Sequence, residues 1–143
     1  MDDLVQWLRA QLDEDERIAR AATRGPWVQS GIGDYGWTVD FGRPGAGVET
    51  ADTEQGLADA DFIAAHNPAR VLREIESKRE LVKLHSRATL RAGGGAQYFG
   101  TTTVCRSCEP DHQFPELSWP CPTLRLLTAP YSGRDGYREE WAP

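Results

Sequence analysis

An α+β domain is what this sequence predicts, and three observations carry that expectation. Leucines recur every fourth residue at the amino end, short extended segments alternate with glycine turns before residue 52, and a cysteine knuckle lies near the carboxy end. The elements expected in order are an amino-terminal helix (residues 1–24), a small antiparallel β-meander (25–52), a long helix pair (53–86), and a glycine loop leading into a zinc-knuckle region with a short helix (87–143). All of them belong to a single domain, since a chain of 143 residues is one domain by length and buries roughly 70% of the surface its unfolded form would expose.

The first helix rests on Leu4, Leu8 and Leu12, with Val5 alongside and Ile18 and Ala19 further on, in a stretch from Asp2 to Ala22 free of Gly and Pro. The run Asp13-Glu14-Asp15-Glu16 forms its solvated middle, with Asp13 to Arg17 and Glu16 to Arg20 at pairing distance. Arg24-Gly25-Pro26 then stops it, because glycine ends helices readily and proline cannot continue one.

Extended candidates follow at Trp27 to Gln29, Trp37 to Phe41 and Gly47 to Thr50, parted by turns such as Gly31-Ile32-Gly33-Asp34. The glycines at 31, 33 and 36 are turn residues, since no lysine follows them as in a phosphate-binding loop. Trp27 and Trp37 are expected in the core. A second helix starts near Thr53 to Leu57 and runs to Ala65, and a third begins at Asn67-Pro68, a good N-cap followed by a residue suited to the first turn. The third helix carries Val71, Leu72, Ile75 and Val82 on one face, and His85 falls three residues after Val82 on that same inward face. Glu74 and Lys78 are placed to pair, and residues 87–102, with Gly93-Gly94-Gly95 and no periodicity, read as a loop.

Composition narrows the function. The chain begins with neither the basic start nor the apolar run of a signal peptide, which predicts a cytoplasmic protein with no membrane partner. In a reducing compartment, closely spaced cysteines more often bind metal or do redox work than form disulfides. A net charge of -6 opposes a general phosphate-binding surface, so nucleic acid is not the expected partner. The charge is uneven: residues 25–66 hold Asp34, Asp40, Glu49, Asp52, Glu54, Asp59 and Asp61 against Arg43 alone, whereas residues 67–91 hold seven basic side chains against three acidic ones.

Cys105-Arg106-Ser107-Cys108 is a knuckle whose spacing lets two thiolates meet one tetrahedral zinc, and Cys121 returns twelve residues later as a third ligand. Pro122 suits the first turn of a short helix, Thr123 to Ala129, that holds Cys121 at its amino end. The fourth ligand is His85 or His112, with His66 a distant third. Two other readings compete, a redox pair of Cys105 and Cys108 and a set of unliganded, partly buried cysteines. Three thiolates and a histidine fill the zinc tetrahedron, which makes the site structural and not catalytic. No nucleophile elbow, paired-histidine zinc helix or Walker sequence occurs, so enzyme activity is not expected. Trp141, close to the chain end, must dock back on the domain or meet a partner.

The stretches Ala22-Thr23-Arg24-Gly25-Pro26-Trp27 and Ala58-Asp59-Ala60-Asp61-Phe62-Ile63-Ala64-Ala65-His66-Asn67-Pro68-Ala69-Arg70-Val71-Leu72 resemble a pattern of small Ead-like phage and prophage proteins. Pro120-Cys121-Pro122-Thr123-Leu124-Arg125-Leu126-Leu127 with Tyr137-Arg138-Glu139-Glu140-Trp141 resembles an uncharacterised family of short actinobacterial and actinophage proteins. That resemblance implies a metal site of His85, Cys105, Cys108 and Cys121 and supplies no catalytic residue. The expected function is a non-enzymatic, zinc-stabilised accessory protein of phage or prophage type that binds another protein. A nucleic-acid-binding zinc module, favoured by Arg106 and the basic third helix, and an acidic DNA mimic are the alternatives.

Overall fold

The computed structural model describes residues 3–91, 101–108 and 118–143. The elements run α1 (Asp3–Ala21), β1 (Val28–Ile32), β2 (Trp37–Asp40), β3 (Gly47–Glu49), α2 (Glu54–Ala65), α3 (Pro68–Leu84), β4 (Arg87–Arg91), β5 (Thr101–Cys105) and α4 (Pro122–Thr128), with short 3-10 turns at Ala129–Tyr131 and Glu139–Trp141. The chain is α+β, and among the described residues the sheets are antiparallel: β1-β2-β3 and β4-β5. No described helix is long and apolar enough to cross a membrane.

The chain divides into two compact units, one of Asp13–Glu76 and one of Met1–Leu12 with Ser77–Pro143. Residues 13–76 carry thirteen of the chain's 22 acidic side chains but six of its 16 basic ones, a net of -7. The remainder carries nine acidic and ten basic, a net of +1.

In the 13–76 unit the meander forms as alternation and glycine turns require, with Val39 of β2 opposite Gln29 of β1 and Val48 of β3. Val39, Ala60 of α2 and Ile75 of α3 are almost fully buried. The chain crosses from β3 to α2 in one tight bend. There Thr53 Oγ1 accepts the Gly56 amide as N-cap, and Thr50 Oγ1 donates to the Gly56 carbonyl. A Cβ on Gly56 would lie 1.7 Å from the Ala51 carbonyl oxygen, so only glycine fits. Asn67 Oδ1 accepts the Arg70 amide and starts α3 as the sequence predicts.

In the other unit Leu4, Leu8 and Leu12 are buried to within 1%, the predicted stripe. The segment read as a loop over 87–102 is a correction: Arg87–Arg91 and Thr101–Cys105 pair as an antiparallel hairpin, with Ala88 opposite Val104. Val104 is fully buried and Ala88 opposite it half-buried, while the polar and charged Arg87, Thr89, Arg91, Thr101, Thr102 and Thr103 around them blur a period-2 signal in the sequence. The predicted glycines at 93–95 lie outside the described residues. Trp141 docks back, buried beside Trp7 and Tyr137 with ring centroids 5.4 Å and 6.0 Å away, and Arg138 reaches Asp3 at 3.1 Å.

Two further expectations are corrected. Trp27 and Trp37 are half-buried, not core; Trp27 stacks on Phe41 at 4.0 Å and donates its indole N–H to the Thr23 carbonyl. Glu74 binds Arg70 at 2.9 Å, while Lys78 donates to the Tyr131 hydroxyl and sits over its ring. On α1, Glu16 holds Arg20 as expected, and Arg17 is gripped by both oxygens of Glu14.

Candidate metal centre

Each of the four ligand candidates is placed by an element whose local sequence dictates it. His85 extends the last turn of α3, its amide donating to the Leu81 carbonyl at 3.0 Å. The heptad step from Ile75 to Val82 keeps one face inward, and three residues further that face presents the His85 ring. Cys105 closes β5 opposite Arg87, and the ladder continues one bond beyond it, from the Arg106 amide to the Ser86 carbonyl at 2.8 Å. Ser107 Oγ donates to the Leu84 carbonyl. The knuckle turn is therefore fastened to the backbone on both sides of His85. Cys121 is the N-cap residue of α4 with Pro122 after it. Arg125, one turn along α4, donates to the Pro120 carbonyl at 2.9 Å and to the Glu140 carbonyl at 2.5 Å, so one guanidinium joins the approach to Cys121 with the carboxy-terminal tail.

His85 Nδ1 lies 3.4 Å from Cys105 Sγ, 3.5 Å from Cys108 Sγ and 3.6 Å from Cys121 Sγ. All four ligand atoms fall within 4.8 Å of one another. One ring nitrogen has a single hydrogen bond to give or accept, which cannot account for three near-equal sulfur distances. A central ion can: zinc bonds of about 2.3 Å to sulfur and about 2.05 Å to nitrogen at tetrahedral angles put nitrogen and sulfur about 3.6 Å apart. The donor set and its spacing fit a tetrahedral metal ion.

The electrostatics agree. Cys105 and Cys121 are buried and Cys108 is half-buried, all three as free cysteines. Burial pushes the Cys108 thiol up to about 12, reinforced by hydrogen bonding to Cys105 and the nearby charges of Cys121 and Cys105. Cys121 is also raised, by burial first, while the Leu124 backbone acts in the opposite direction. Crowded thiolates repel one another and lose hydration, and a divalent cation among them removes both penalties.

The structure brings together His85, Cys105, Cys108 and Cys121 from three separate segments. His66 is not among them: it is exposed in the 13–76 unit, stacked on Phe62 with Nδ1 2.9 Å from that residue's carbonyl. His112 lies outside the described residues. Sequence reasoning missed Ser107 and Arg125, whose hydrogen bonds hold the ligands in place. A small polar residue inside the knuckle and an arginine one turn after a cysteine N-cap were the only signals available for them.

The sequence signature of a family of unknown function, DUF6221, matches residues 1–143. The chain belongs to that family. No curated protein and no solved structure matches it. Membership in DUF6221 agrees with the resemblance to an uncharacterised family and brings no assigned activity to these residues.

Proposed function

We propose that His85, Cys105, Cys108 and Cys121 hold one structural Zn²⁺. The observation that carries this reading is the set of three near-equal Nδ1–Sγ distances, 3.4 Å, 3.5 Å and 3.6 Å, around one ring nitrogen. Four protein ligands leave zinc no open position for substrate or water, which makes the ion a clasp between the end of α3, the knuckle and the start of α4. The test is metal analysis of protein purified without added zinc. One zinc per chain is expected, lost in His85→Ala and kept in His112→Ala. A folded, metal-free wild type with every thiol titratable would sink the assignment.

The fold so clasped serves a non-enzymatic accessory protein that works by binding another protein. Exposed apolar side chains are where such a partner would gain most by covering surface: Phe62 is 64% exposed, and Leu84 and Leu126 60% each. The phage or prophage setting is supported by sequence resemblance alone. Affinity capture from the native host with zinc-loaded chain tests the binding role, which fails if the folded protein retains no partner or turns over a substrate instead.

A further inference from the structure

Three sulfurs stand at nearly the same distance from His85 Nδ1, but solvent does not reach them equally. Cys105 is 2% exposed and Cys121 is fully buried, whereas Cys108 is half-buried. Position in the fold accounts for the difference. Cys105 ends β5, with the ladder carried past it by the bond from the Arg106 amide to the Ser86 carbonyl, and Cys121 lies between two prolines at the start of α4. Cys108 closes the turn over residues 106–108, beyond that last ladder bond.

A cysteine that ligates zinc does so as a thiolate, the nucleophilic form, so all three sulfurs carry the same reactive group. Among like thiolates, access decides which one meets a small polar oxidant first. Cys108 has that access. A second thiolate must then stand near enough to close a disulfide on it, and Cys105 does. The ligand atoms lie within 4.8 Å of one another, and the ends of a four-residue turn stand less than about 7 Å apart at Cα, overlapping the spacing a disulfide accepts. Cys121 is held elsewhere, in the chain that Arg125 fastens through the Pro120 carbonyl at 2.9 Å.

We propose that Cys108 is a site of peroxide oxidation at which the zinc clasp opens, with Cys105 as its resolving partner, an inference that rests on the zinc reading above. The Cys108 thiolate attacks one oxygen of hydrogen peroxide, the O–O bond breaks and hydroxide leaves, so the sulfur becomes a sulfenic acid. The Cys105 thiolate then attacks that sulfur, the S–O bond breaks, a second hydroxide leaves and the S–S bond forms. The sulfurs give up two electrons between them, peroxide takes both, and the hydroxides take protons from the solvent. Zinc, left with His85 and Cys121 alone, dissociates. A dithiol reductant returns both thiolates, and the clasp closes again on zinc. Residues 13–76 contain neither cysteine nor methionine, so the chemistry is confined to the other unit.

The experiment treats the full chain, first shown by metal analysis to hold zinc, with a small excess of hydrogen peroxide. Released zinc is followed with a chromophoric chelator, sulfenic acid is trapped with dimedone, and modified peptides are mapped by mass spectrometry. Dimedone marks Cys108 ahead of Cys105 and Cys121, a Cys105–Cys108 disulfide accumulates in step with zinc release, and dithiothreitol with added zinc restores the metal content. Cys108→His, which keeps a nitrogen ligand for zinc, slows release about tenfold or more. Should that variant fail to fold, the order of labelling in the wild type decides alone. First labelling at Cys105 or Cys121, a disulfide formed through Cys121, or zinc retained while Cys108 oxidises overturns the inference and leaves the zinc reading standing. A wild type that folds without zinc overturns both.

Discussion

The two units close small cores by different means. Residues 13–76 contain no cysteine and are held by caps and close backbone contacts: Thr53 on Gly56, Asn67 on Arg70, Thr50 on the Gly56 carbonyl. The unit of Met1–Leu12 and Ser77–Pro143 draws segments distant in sequence to one point, where His85 meets Cys105, Cys108 and Cys121. Local contacts suffice where the chain returns after a few residues. Where 36 residues separate His85 from Cys121, the entropy of closing the loop is larger, and the zinc proposed for this site would offset it at a single point.

The largest expected effect breaks this contrast open. Removing metal with a strong chelator withdraws on the order of 10 kcal/mol of ligation free energy from one unit and none directly from the other. Hydrogen exchange should then rise throughout β4, β5 and α4 while α2 and the meander keep their protection. Uniform loss of protection in both units would show that the distinction has no energetic meaning. Next in size is Trp141→Ala, which empties a buried aromatic site beside Trp7 and should lower stability by about 3–5 kcal/mol in denaturant unfolding.

A pH experiment sharpens the comparison further. In the metal-free protein the Cys108 thiol is raised to about 12, above the unfolded value of about 8.5. The folded state therefore holds its proton longer. This stability is fully present below the unfolded value and is lost as pH rises toward the folded one, so metal-free protein unfolds more easily between roughly pH 8.5 and about 12. The opposite sign holds for the metal-loaded form, in which acid protonates the ligands and expels the ion. Melting curves of the metal-free chain at pH 8 and pH 10 check the first arm, and Cys108→Ser should flatten the difference. The smallest effect belongs to the other unit: Thr53→Ala removes the α2 N-cap and costs about 1 kcal/mol, with metal content unchanged.

Much of this architecture was legible because its determinants are local. Leu4, Leu8 and Leu12 are spaced by one turn each, Asn67-Pro68 starts a helix by its own chemistry, and Cys121-Pro122 announces the short α4. His85 was legible for a related reason: counting along a helix face from Val82 puts it inward. The hairpin of β4 and β5 was hidden because its partners meet across an intervening segment and its strands, rich in Thr and Arg, carry little apolar alternation in the sequence. Tertiary neighbours also rewrote local pairings. Lys78 sits one turn after Glu74 yet binds Tyr131, a residue 53 positions away. The tryptophans misled for a physical reason, since a large ring such as Trp27 can cover a surface by stacking on Phe41 without being enclosed.

The pairing of Trp7 with Trp141, and of Asp3 with Arg138, has a consequence for how the protein is made. A ribosome delivers the chain from its amino end at about 5–20 residues per second, and units fold as their sequences emerge. Residues 13–76 come out as an unbroken block. Trp7 and Asp3, on the first turns of α1, must wait for Trp141 and Arg138 to be synthesised. For several seconds the nascent chain carries the whole of 13–76 while the unit that includes both of its ends is still incomplete.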